Sequence, residues 1–86
     1  MLVRWSKEAK AQLKAIAQRA PRQAGGLYDA VYALARQPFP GMYREIEGRP
    51  GEHVLTVSPL FAVYMVTARR LTVLSVEDAR QQQEPW

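Results

Sequence analysis

HVLTVSPLFAVYMVTARRLTVLSV, residues His53 to Val76, is the stretch whose reading decides the fold. Val, Leu, Thr and aromatic side chains dominate it, and two short breaks divide it into three runs, His53 to Val57, Leu60 to Thr67 and Arg70 to Val76. Runs of that length and composition, joined by connections short enough for hairpins, predict three strands of a mainly antiparallel sheet. The middle run is apolar on both sides: Phe61, Val63 and Met65 alternate with Leu60, Ala62, Tyr64 and Val66. A sheet covered on one face only would leave one of those sets in water. Its second face therefore calls for shielding by the chain's own tail, by a second copy or by a partner.

The material upstream supplies cover for the first face. Leu2 to Trp5 reads as a short strand, and Ser6 is placed to cap the helix after it, its hydroxyl accepting from a backbone N–H that has no partner within the helix. Ala9, Leu13, Ile16, Ala17 and Ala20 recur at helical spacing, with Lys7, Lys10 and Lys14 along the other side. Leu27, Ala30, Val31 and Leu34 form a second stripe that runs to Gln37, and a connection near Ala20 to Gln23 makes the two helices antiparallel. Pro38 to Glu52 is rich in Pro, Gly and alternating charge, which predicts an extended loop. The expected architecture is α+β, two N-terminal helices packed on a four-stranded, mostly antiparallel sheet. Residues 1–80 form one domain and residues 81–86 a polar C-terminal tail ending in Trp86.

Eighty-six residues suffice for one small core and no more. Cysteine is absent, which excludes a disulfide framework and thiolate metal sites. One histidine and scattered carboxylates offer no metal-ligand spacing, so neither metal nor cofactor is expected. The opening MLVRWSKEAK has no apolar run suited to a signal peptide, and no segment approaches membrane-spanning length, so a cytoplasmic protein without a membrane partner is expected. The formal net charge of +4 is dominated by arginine, whose planar fork suits phosphate and carboxylate alike.

The order of elements and several phrases resemble the RelE/ParE superfamily of type II toxins. VRWSKEAKAQLKAIA is similar to that family's strand and capped first helix, ARQPFPG to the end of its second helix, and EIEGRPGEHVLTVSPLFAVYMVTARRLTVLSV to its loop and three-stranded sheet, including the tyrosine at Tyr64. The resemblance covers Leu2 to about Arg80. It implies a small growth-inhibiting toxin neutralised by a cognate antitoxin that wraps it with a helix and an extended segment. In the RelE-like branch such proteins cut messenger RNA on the ribosome, and in the ParE-like branch they inhibit DNA gyrase; one fold hosts both.

The residues depart from the nuclease pattern. Where the family carries arginines this chain has Thr56 and Phe61, Ser58 replaces a glycine, and Glu77 stands at a position the family makes basic. A benzyl group cannot donate to a phosphate, and a carboxylate repels one. The candidate site for a rearranged endonuclease is Arg44, Glu45, Arg49, His53 and Arg80, with His53 as the titratable group near neutral pH. The candidate partner contacts are Leu60, Phe61, Val63, Met65 and Leu74. The favoured function is a toxin that binds gyrase or the ribosome without cutting RNA. The alternatives are a ribosome-dependent endonuclease and a non-toxic partner-binding module, which could include a homodimer.

Overall fold

The computed structural model describes residues 1–36 and 46–82. Strand β1 (Leu2–Trp5) leads into helix α1 (Lys7–Arg19) and helix α2 (Pro21–Ala35); strands β2 (Glu52–Val57), β3 (Leu60–Thr67) and β4 (Arg70–Asp78) follow, and a short 3-10 helix (Ala79–Gln82) ends the described chain. The strands form one sheet in the order β1-β4-β3-β2, with β1 parallel to β4 and the other two pairs antiparallel. The expected two helices on a mostly antiparallel four-stranded sheet are present. Of the expected loop, residues 37–45 lie outside the described residues, as does the tail beyond Gln82.

Local chemistry sets the helix boundaries. Ser6 has extended backbone and its Oγ accepts from the Ala9 N–H at 3.0 Å, the predicted cap. The connection between the helices is shorter than the sequence suggested, a single residue and not Ala20 to Gln23. Proline at 21 drives the residue before it out of helical geometry, and Ala20 accordingly sits at φ −144°, ψ 67°. The same proline is preorganised for the first helical position, so α2 starts at once.

Both helices cover one face of the sheet. Ala9 and Ile16 of α1 and Ala24, Leu27, Val31, Leu34 and Ala35 of α2 meet Leu60, Ala62 and Tyr64 of β3 and Leu71, Val73 and Val76 of β4 in a single cluster. Truncating a side chain as deeply buried as Leu27 or Leu71 to alanine costs about 2–5 kcal/mol. Leu60 belongs to this core at 0% exposure, which leaves it no surface for a partner and corrects its place among the candidate contacts. The alternation read from the middle run holds, since Phe61, Val63 and Met65 fall on the opposite face. That face is less open than expected: Val63 is buried, and Phe61 and Met65 are half-buried.

Strand β4 needs support beyond its neighbours. It is paired with β1 only from Arg70 to Val73, so its last five residues lack a strand on that side. Side chains of the α1 region replace the missing ladder: Ser6 Oγ donates to the Leu74 carbonyl at 2.8 Å, and Gln12 Oε1 accepts from the Val76 N–H at 2.6 Å. The register between β3 and β4 slips at the same place, leaving Leu74 without a β3 partner. Asp78 closes the strand. Its side chain is 1% exposed and meets two arginines, Arg19 Nη2 at 3.1 Å and Arg80 Nη2 at 2.8 Å, both on Oδ2, while Oδ1 accepts from the Arg80 N–H and Nε. Hydrogen bonding from the Arg80 side chain, against the opposing effect of burial and with help from the Arg80 N–H and from Arg19, holds this carboxyl well below the usual range.

Two predictions follow from β4. Gln12→Met keeps the side chain's length but strands the buried Val76 N–H; urea unfolding should show a loss of about 1–3 kcal/mol, against within about 0.5 kcal/mol for the exposed Lys7→Met. Because the folded-state pKa of Asp78 is depressed, its contribution is complete above the unfolded value and fades as pH falls toward the folded one. Asp78→Asn should therefore melt below the parent at pH 7, and the gap should close progressively below about pH 4.

Candidate functional site

On the face away from the helices, pairing brings three telling positions into one row. Thr56 of β2 lies opposite Phe61 of β3, and Phe61 lies opposite Glu77 of β4. These are the three positions at which the resemblance implies basic residues, and the sheet sets them side by side across about 10 Å, two inter-strand spacings. In this chain the row offers a hydroxyl, a benzyl ring and a carboxylate. It has no cationic donor with which to hold a phosphodiester or to stabilise charge that develops on one.

The described candidate catalytic residues, Arg49, His53 and Arg80, do not gather into one site. Arg44 and Glu45 lie outside the described residues. Arg49 sits in a compact turn in which the Ile46 N–H reaches the Glu52 carbonyl at 2.8 Å and the Glu52 N–H reaches the Arg49 carbonyl at 3.1 Å. Gly48 and Gly51 make that turn possible, each with a φ near +80° that glycine tolerates without strain. Arg49 forms an ion pair with Glu52, Nη2 to Oε1 at 2.6 Å. His53 is opposite Tyr64, its ring 5.4 Å from the phenol, and so lies on the helix-covered face with the buried tyrosine. Arg80 is at the other end of the sheet. Four register positions separate His53 from the Val57–Leu60–Asp78 row, about 13 Å along the strands. There Arg80 is held by Asp78 and by Gln23 Oε1 at 3.0 Å.

Of the candidate partner contacts, Phe61, Val63 and Met65 share the outer face, and the half-buried Leu74 sits at the register slip between β3 and β4. The helical side carries a surface that sequence reasoning passed over. Trp5 stacks on Tyr28 with ring centroids 5.7 Å apart and planes 8° apart, and Tyr28 in turn contacts Tyr32 at 4.8 Å. Trp5 Nε1–H donates to the Tyr32 hydroxyl at 3.3 Å. The hydrogen bond between the two tyrosines raises the Tyr28 phenol above its ordinary value. With Leu13, Ala17, Lys10 and Lys14 of α1 these rings line a groove of about 340 Å³ between the helices. Tyr28 remains 45% exposed, an unusual position for so large an aromatic surface. The signal was available in the sequence, since Tyr28 and Tyr32 are four residues apart and share a helical face.

Comparison with known proteins bears on this geometry. Residues 3–83 match the family model described as the ParE toxin of the type II toxin–antitoxin system parDE. No curated protein matches the chain. Among solved structures, the chain is similar to the YoeB/ParE toxin from Agrobacterium tumefaciens, with a TM-score of 0.75 and 19% identity over 91% of this chain and 98% of that one. It is similar also to a chain of the chromosomal ParDE system from P. aeruginosa, with a TM-score of 0.63 and 20% identity over 91% and 95%. A chain of the intact E. coli RelBE toxin–antitoxin complex aligns with a TM-score of 0.69 and 16% identity over 90% and 94%. At these identities the structures speak for the fold, and the family model speaks for descent. A strand, two helices and a three-stranded meander in this order, matched over nearly the whole length, place the chain in the ParE toxin family of type II toxin–antitoxin systems.

Proposed function

We propose that this toxin arrests growth by docking on a macromolecular target, a gyrase-like one before the ribosome, and that it does so without cutting RNA. The observation that carries this reading is the Thr56–Phe61–Glu77 row. Cleavage by a 2′ hydroxyl needs a base, donors for the charge developing on the phosphate, and an acid for the leaving oxygen. The row supplies no cation, and Arg80 faces Asp78 and Gln23 on the helical side, about 13 Å along the sheet from His53. A binding toxin needs none of these groups, only a complementary surface.

We also propose a cognate antitoxin. Several of the structurally similar chains come from toxin–antitoxin systems, among them ParDE, RelBE and the E. coli DinJ–YafQ complex. On this chain the groove floored by Trp5, Tyr28 and Tyr32 and edged by Lys10 and Lys14 fits an amphipathic helix with acidic flanks, while Phe61 and Met65 offer apolar contacts to an extended segment. Aromatic anchors in a groove of this kind carry most of the energy of such an interface.

Induced expression and a translating extract test the reading together. Growth should stop with transcripts intact, purified protein should leave messenger RNA whole in the extract, and co-expression of a small acidic protein encoded beside the gene should restore growth. Tyr28→Ala should weaken capture of that neighbour by about tenfold or more while leaving arrest in place. Transcripts cut within codons by the purified protein, with cutting lost in His53→Ala or Arg49→Ala, would overturn the non-cleaving mechanism.

A further inference from the structure

The end of the sheet at which Asp78 lies carries a second feature, independent of the groove and of the outer row. Arg19 at the end of α1, Arg22 in the first turn of α2 and Arg80 in the 3-10 helix line one shallow cleft of about 640 Å³, whose remaining walls are Ala20, Pro21 and Gln23. Three arginines line a space that no acid among the described residues walls. The carboxylate of Asp78 is buried and held by two of them. Counting Asp78, the cluster keeps two net positive charges.

The helix adds to the imbalance. The first turn of α2 is the positive end of its peptide dipoles, where an acidic residue or a side-chain cap is the usual occupant. Here the N-cap is Ala20, which gives no side-chain hydrogen bond, the first turn contains no acid, and Arg22 stands in it. Arg19 is matched by the negative end of α1 and by Asp78, but Arg22 stands at the positive end of α2 with no acid in that turn, a placement that an anion from outside would relieve.

The cleft is also preorganised. Arg19 and Arg80 are fixed by the same Asp78 oxygen, and Arg80 by Gln23 as well, so an incoming anion meets donors that have already lost much of their rotamer freedom. The Arg22 side chain has no hydrogen bond or ion pair to another described residue, and Arg22 is exposed. A flat carboxylate is served by one or two forks, as Asp78 itself is. Three forks approaching from two helices and the 3-10 helix suit the tetrahedral oxygens of a phosphate. Among the described residues the walls hold no aromatic ring on which a base could stack, which points to a backbone phosphate and away from a free nucleotide.

From these observations we infer that the cleft formed by Arg19, Arg22 and Arg80 binds a phosphodiester of a nucleic-acid backbone, without regard to base sequence. The inference goes beyond the toxin reading and does not depend on it, because the test uses neither gyrase nor ribosome. Fluorescence anisotropy of the purified chain with labelled 20-mers of two unrelated sequences, at 50 and 200 mM salt, measures it. Arg22→Gln leaves the Asp78 anchor untouched; it should weaken binding about three- to tenfold on both sequences and lower the salt slope by about one. Lys7→Gln, on α1 away from the cleft, should leave binding near the parent value, and equal melting temperatures of the two variants show that both are folded. Absence of binding at 50 mM salt, equal weakening by Lys7→Gln, or displacement by polyglutamate as effective as displacement by polyphosphate would overturn it. The last outcome would assign the cleft to an acidic protein segment instead.

Discussion

The fold rests on a constraint at β4. This strand sits between β1 and β3, contributes Leu71, Val73 and Val76 to the core, and yet has a neighbouring strand on one side for only its first four residues. Buried backbone groups must find partners, and the alternative to a strand here is a set of side chains from α1. Ser6 serves twice, accepting from the Ala9 N–H to start the helix and donating to the Leu74 carbonyl to tie that start to the sheet. Gln12, a turn and a half further on, receives the Val76 N–H. The position of α1 over the sheet is thus set by hydrogen bonds as much as by the apolar stripe, and α2, one residue away, has little freedom in where it lies.

Much of this was legible in the sequence because it follows local rules. The cap at Ser6 and the alternation along Leu60 to Thr67 each act through neighbours a few residues away, and each predicted its element. What escaped depends on residues far apart in the chain. Gln12 looks like a solvated helix position until Val76 lies beside it, 64 residues later. The extra residues of β4 were hidden in part for the same reason: Glu77 and Asp78 read as polar, and it takes Arg19, 59 residues away, together with the neighbouring Arg80 to make a carboxylate at the core's edge tolerable.

The candidate site shows the same division. That Thr56 and Phe61 offer no cation was visible from sequence, but that these two positions and Glu77 form a single row needed the register of three strands. The grouping of Arg49, His53 and Arg80 reflected proximity of chemistry and not of position. The pleat sends His53 to the helical side with Tyr64, Arg49 is spent on Glu52, and Arg80 lies past the far end of β4. A fold shared by proteins of different activity keeps its core and varies such rows, so the family is read from the packing and the activity from the few positions that packing leaves open.

Through its side chain Asp78, at the end of the last strand, holds the end of the first helix and the 3-10 helix that follows the strand. Loss of the acid would leave two cations crowded together, whereas loss of one cation would leave the acid half-compensated, so the effects of changes at these sites do not add. The worth of each of residues 19, 78 and 80 is therefore set by the other two, and the three act as a single clasp on the end of the sheet.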